Sequence, residues 1–194
     1  MPPAIRSAAV FCGSRLGANP VFAQAARALG QGLAARGITL VYGGGGIGLM
    51  GTVAEAAVEA GGTVRGIIPE FLTKLERPSP RLAEIEITDS MHSRKRRMFD
   101  LADAFVTLPG GLGTLDETVE VLTWRQLRLH AKPVIILDIG GWAQPVVALI
   151  DAMIAHGFVA PDNREFFRVV PDVPAALALL EAAPAGPAEP SGRL

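Results

Sequence analysis

The chain predicts an α/β fold, a Rossmann-like doubly wound parallel sheet of about seven strands with helices on both faces. Short apolar or β-branched runs alternate with longer segments of helical period, the pattern of parallel strands buried on both faces and joined by crossover helices. Three strand ends run into glycine-rich turns: "FCGS" at Phe11 to Ser14, "VYGGGGIGLMG" at Val41 to Gly51 and "LPGGLGT" at Leu108 to Thr114. In doubly wound sheets the ligand lies outside the carboxyl ends of the strands, where glycine lets backbone approach closely. The three turns are therefore expected to share one site.

In chain order the expected strands are Ile5 to Phe11, Thr39 to Tyr42, Thr63 to Ile68, Glu84 to Thr88, Ala104 to Leu108, Val134 to Leu137 and Arg168 to Val170. The helices between them are Pro20 to Ala35, Leu49 to Ala60, Met91 to Ala102, Leu115 to Leu129, Ala143 to Ala155 and Pro174 to Ala182. Residues 1–183 read as a single domain, and the Pro- and Gly-rich stretch at 184–194 reads as a disordered tail.

With 194 residues the chain is long enough to bury a substantial core. Its 18 Lys+Arg against 19 Asp+Glu give a formal charge of -1, which offers no global field for nucleic acid or an anionic membrane. Anion recognition must therefore be local. No apolar run reaches the roughly 18 residues of a membrane span, and the opening "MPPAIRSAAVFCGSR" is too short in its apolar part for a signal peptide. The single cysteine, Cys12, excludes an intramolecular disulfide and fits a reducing, cytoplasmic setting.

The richest stretch is "FVTLPGGLGTLDETVEVLTW", Phe105 to Trp124. Pro109 stops the strand, Gly110, Gly111 and Gly113 free the backbone, and Thr114 can cap the helix or donate to a phosphate. Asp116 and Glu117 follow at once. They complement the helix dipole but would repel a phosphate on the same turn. The period places Leu115, Val119 and Leu122 on the expected core face, with Glu117, Val121 and Trp124 roughly opposite. A helix apolar on two faces suggests a second subunit over Val121 and Trp124.

In "MHSRKRR", Arg96 and Arg97 read as a solvated helix face. Arg94 and Lys95 sit near the helix N-terminus, where a cation needs an anion nearby, so they are candidates for pairing with a ligand phosphate or with Glu117. Ser14 and the Gly43 to Gly46 turn, including Gly44 and Gly45, are expected to help bind a phosphate or ribose. The glycine turn lacks the Lys-Ser/Thr ending of a P-loop. Gly46 to Gly51 satisfies G-x-G-x-x-G, but the acid that a dinucleotide site needs is met only roughly, by Glu70. His92, His130 and His156 lack metal-ligand spacing and read as surface or packing residues. Cys12 reads as a small buried apolar residue.

The string Pro109 to Glu117 matches P-G-G-x-G-T-x-x-E and, with "MHSRK" upstream, resembles the LONELY GUY family of phosphoribohydrolases. The likeness extends through "GSRLG", "VYGGGGIGLMG", "GIIPEFL" and "LTWRQLRLHAKPV". It implies hydrolysis of the N-glycosidic bond of cytokinin riboside 5′-monophosphates, and of AMP in many bacterial relatives, by a homodimer without metal or redox cofactor. Carried over by position, Arg94 and Glu117 match the catalytic pair. Glu76, Lys95, Thr123 and the loop of Gly111, Leu112, Gly113, Thr114, Leu115 and Asp116 match substrate-binding positions. Arg125, where relatives often have a small residue, bears on base preference. The rival reading is a nucleotide or molybdenum-cofactor carrier on the same fold.

Overall fold

The computed structural model describes residues 5–76 and 84–184. Its strands are β1 (Ser7–Phe11), β2 (Thr39–Tyr42), β3 (Val64–Pro69), β4 (Glu84–Thr88), β5 (Ala104–Thr107), β6 (Val134–Leu137) and β7 (Arg168–Val170). The helices are α1 (Val21–Ala35), α2 (Gly48–Glu59), the single turn α3 (Thr73–Glu76), α4 (Met91–Leu101), α5 (Leu112–Gln126), α6 (Gln144–Ala155) and α7 (Val173–Ala182). The expected tail lies outside the described residues apart from Pro184.

The strands form one sheet in the order β4-β3-β2-β1-β5-β6-β7, and every neighbouring pair is parallel. From β1 the chain moves outward to β4, then returns so that β5 pairs with the other side of β1. That reversal opens a crevice beyond the carboxyl ends of β1 and β5. Alternation along β1 divides the core into two layers. Ala8 and Val10 pack with α1, α2 and α7, while Ala9 and Phe11 pack with α4 and α5.

Two features depart from the sequence reading. Helix α5 starts at Leu112, three residues before the expected Leu115, because extended Gly111 serves as its N-cap (φ −100°, ψ −155°). The glycine turn is thus partly the first helical turn. The helix is also rotated relative to expectation. Its buried positions are Thr114, Glu117, Thr118 and Val121, while Val119 is 51% exposed.

Val121 therefore belongs to this chain's own core at 3% exposure, and Trp124 packs edge-on against Phe99 at 4.9 Å. Val121 thus offers no free face for a second subunit, while Trp124 is only half-buried. Leu115, Val119 and Leu122 instead line a groove of about 390 Å³ between α5 and α6. Thr118 is held on the core side by bonding to Thr107 and to the Thr114 carbonyl at 2.9 and 2.7 Å. Satisfied polar groups were able to outrank aliphatic ones in choosing the buried face.

Behind α5, His130 and Lys132 tie three elements together. The His130 Nδ1 accepts from the Lys132 backbone N–H at 3.1 Å, so its Nε2–H donates to the Val121 carbonyl at 2.8 Å. Lys132 Nζ donates to the Phe99 carbonyl at 2.7 Å and lies 4.0 Å from that ring's centroid. Burial pushes the imidazole down to about 4 from 6.5 and the amine down to about 8.

The unfolded chain protonates His130 before the folded one does, so this contribution to stability is complete above pH 6.5 and is lost as pH falls towards about 4. The urea midpoint should fall over that interval, and His130→Gln, which keeps a donor and an acceptor but does not titrate, should flatten the fall. An unchanged slope in the variant would assign the acid sensitivity to other groups.

Candidate active site

Three backbone clasps hold the glycine turns against one another. The Gly13 N–H donates to the Pro109 carbonyl at 3.1 Å, and the Gly13 carbonyl accepts from Leu49 and Met50 at 3.0 and 3.3 Å. This close approach explains the glycines. A Cβ on Gly110 would lie 2.0 Å from Thr114 Oγ1, and one on Gly48, at φ +60°, would lie 2.3 Å from the Ser14 carbonyl carbon. The Gly46 N–H donates to the Glu76 carbonyl at 2.8 Å, which ties α3 to the second turn. Packing thus accounts for Gly48, and for Gly51, where a Cβ would lie 2.4 Å from the Gly46 carbonyl oxygen, without a dinucleotide.

The turns surround a cavity of about 230 Å³. Ser14, Glu76 and Arg94 line it together with Gly111, Leu112, Gly113, Thr114, Asp116 and Glu117. The first N–H groups of α5 have no partner within the helix, so this end is suited to an anion. The start of α5 and the Glu117 carboxylate thus line one cavity.

Arg94 is placed by a capping box at the start of α4, where Ser90 and Ser93 bond each other's backbone N–H groups. It is 5% exposed. Its Nη2 lies 3.6 Å from Glu117 Oε1, its Nη1 is 3.7 Å from Met91 Sδ, and its buried Nε has no partner. It rests on Gly43, where a Cβ would come within 1.9 Å of Nη2. Glu76 Oε2 is also buried and without a partner, and it lies 3.1 Å from where a Cβ on Gly45 would sit. Gly44 adopts φ +78° against Ile68.

Burial pushes Glu117 up to about 7; Arg94 pulls it down, while Asp116 and Glu76 add to the rise. A neighbouring cation favours the ionised carboxylate. The cation acts in the expected direction, but desolvation outweighs it. Burial likewise raises Glu76, with Arg94 opposing. Cys12 lines the same cavity, and burial, then Glu117, drive its thiol far up, away from thiolate chemistry.

Lys95 lies just outside, bridging Asp116 at 3.1 Å and Glu120 at 3.0 Å and so joining α4 to α5. Leu115 and Thr123 are not brought to the cavity within this chain. Both line the groove between α5 and α6, and Thr123 Oγ1 bonds the Val119 carbonyl at 2.8 Å. Arg96 pairs with Asp100 and Arg97 with Glu86, as a solvated face does. Arg125 donates to the Lys132 carbonyl and lies 5.6 Å from the Phe166 ring centroid. It does not line the cavity.

His92 and His156 are exposed. Among the described residues no three His, Cys, Asp or Glu side chains cluster as a metal site, and no helix is long and apolar enough to cross a membrane. Sequence reasoning missed Gly43 as the seat of Arg94, and it missed Trp142, whose indole N–H donates to the Gly110 carbonyl at 3.1 Å. An arginine at a helix start opposite a run of four glycines was the available signal for the first.

Replacing the cation should expose its effect on its neighbour. In Arg94→Met, a carbon-13 titration should place the Glu117 carboxyl about one unit higher than in the native protein. A carboxyl that did not move, or moved down, would mean that the two groups are not neighbours in solution.

Known proteins resemble this chain in sequence and in fold. A family model described as possible lysine decarboxylase matches residues 50–180. A probable cytokinin riboside 5′-monophosphate phosphoribohydrolase of Oryza sativa subsp. japonica is 46% identical over 176 residues, 91% of this chain and 78% of that one. The cytokinin riboside 5′-monophosphate phosphoribohydrolase of Rhodococcoides fascians is 41% identical over 179 residues, 92% of this chain and 90% of that one. The molybdenum cofactor binding protein of Rippkaea orientalis shares the fold, with a TM-score of 0.71 at 23% identity over 94% of this chain and 97% of that one. By its sequence likeness to the phosphoribohydrolases over nine-tenths of its length, the chain belongs to the LONELY GUY family.

Proposed function

We propose that the protein hydrolyses the N-glycosidic bond of cytokinin riboside 5′-monophosphates, releasing an N6-substituted adenine and ribose 5-phosphate, and that AMP is a further substrate. The observation that carries this reading is the buried Arg94–Glu117 pair beside a cradle of backbone N–H groups in the same cavity. The Gly111 to Thr114 amides hold the phosphate, with Ser14 and the Gly43 to Gly46 turn assisting, and this anchors the ribose.

As the bond between C1′ and the base breaks, its electron pair leaves with the base and positive charge spreads over C1′ and the ring oxygen. Glu117 stabilises that charge and takes a proton from the water that attacks C1′, while the departing base gains a proton. One water is thereby added across the bond. Arg94 orients Glu117, Asp116 binds a ribose hydroxyl and Glu76 closes the opposite wall. A carrier on this fold would need the cradle but no carboxylate poised at the reacting carbon. The free thiol at Cys12 of this chain fits a cytoplasmic setting.

Chromatography of reactions with isopentenyladenosine 5′-monophosphate and with AMP should show free base from both. Glu117→Gln should lower turnover by about a hundredfold or more while ribose 5-phosphate still binds. The native rate should rise with pH through about 7 as Glu117 ionises. No base from either nucleotide would refute the reading.

We further propose that the protein is a homodimer joined across the groove between α5 and α6. Val119, Leu149 and Met153 are exposed there by 51%, 58% and 38%, an apolar surface of the kind that a subunit covers. Leu115 and Thr123, family substrate positions, lie on this face, so the partner would bring them into a composite site. Sedimentation should find a dimer for the native protein and a folded monomer for Leu149→Lys. A native monomer at micromolar concentration would discard this interface.

A further inference from the structure

The second glycine of the β5 turn is not required by packing. A Cβ on Gly110 would strike Thr114, but one on Gly111 would meet nothing within 4 Å, and Gly111 has φ −100°, which any residue adopts. Two adjacent glycines leave the peptide between them free to rotate through about half a turn, since both tolerate the mirrored dihedrals. In one orientation its N–H faces the cavity. In the other its carbonyl does, which would repel a phosphate.

One contact decides between them. The Gly110 carbonyl accepts from Trp142 Nε1 at 3.1 Å. In a planar trans peptide the C=O and the following N–H point in opposite directions, so the Gly111 N–H is aimed away from Trp142. Trp142 packs against the core layer of α4 and α5, and Gly111 lines the cavity.

The segment after β6 is built to hold this indole. Gly140 and Gly141 both adopt positive φ, +61° and +78°, a pair that side chains would strain. Asp138 then accepts from the Ala143 N–H at 2.9 Å and from Gln144 Nε2 at 3.2 Å. The neighbouring Pro109 carbonyl is likewise engaged, by the Gly13 N–H. Two successive carbonyls are thus each engaged by a donor.

We propose that Trp142 is a positioning residue: it locks the Gly110–Gly111 peptide with its N–H towards the substrate phosphate. The inference rests on the phosphate cradle of the proposed function. A flip would carry Gly111 into positive φ, so Gly111→Ala should oppose the flip without Trp142's help.

The test is a double-mutant cycle with ribose 5-phosphate affinity measured by calorimetry. Trp142→Phe should weaken binding about fivefold, the value of one neutral hydrogen bond, and raise KM for isopentenyladenosine 5′-monophosphate alike with kcat within about twofold. In the Gly111→Ala background the same change should cost less than about twofold. Benzothienylalanine at 142, equal in shape but without the N–H, should reproduce the loss if Trp142→Phe folds poorly. Unchanged affinity, equal losses in both backgrounds, or an equal loss for the unphosphorylated riboside would overturn the inference. Base release by the native protein is read separately, so its failure would refute the hydrolase reading while the binding cycle still judged Trp142.

Discussion

A guanidinium buried beside a carboxylate is the constraint on which this site depends. Arg94 is nearly excluded from solvent, has Glu117 at 3.6 Å and rests on Gly43, where a Cβ would meet its guanidinium. Taking both charges out of water is costly, and breaking such a pair from one side leaves an uncompensated charge worth about 3–5 kcal/mol. The neighbourhood is arranged to tolerate it. Gly43 clears the space, the Ser90–Ser93 capping box fixes the start of α4, and Glu76 supplies a second carboxylate whose charge Arg94 favours. A pair this buried, with one carboxyl moved to about 7, is better suited to chemistry than to stability.

The anion cradle and the acid do not compete, because the fold separates them along one helix. The N-terminal amides of α5 meet the cavity at its first turn, while Glu117 enters from the buried face a turn later. Lys95 draws Asp116 outward together with Glu120, which reduces the negative potential next to the cradle. The helix start and the carboxylate therefore reach the cavity from successive turns of α5.

The same helix shows how local patterning is overruled. By aliphatic count alone, Leu115, Val119 and Leu122 should be buried. Instead the buried stripe carries Thr114, Glu117 and Thr118, because those side chains find partners or a site function beneath the sheet edge. The displaced aliphatic stripe is left facing α6. Its exposure makes the surface of the fold as specific as its core: α5 connects the cavity on one side with the apolar groove on the other.

Alternation of β-branched runs with helical segments was enough to predict seven parallel strands, six of the helices and the meeting of three glycine turns, since burial on both sheet faces leaves a direct imprint on residue order. Arg94, Glu117 and the Gly111 to Thr114 loop, singled out from two separate stretches of sequence, line one cavity. Other features depended on residues far apart in the chain. Gly43 matters because Arg94, on another element, lies over it; Trp142 matters because two left-handed glycines return it to Gly110; and the inward face of α5 was set by Thr107 and by the cavity. Periodicity reports how many faces a helix buries, but only packing against distant elements decides which side chain finds a partner there.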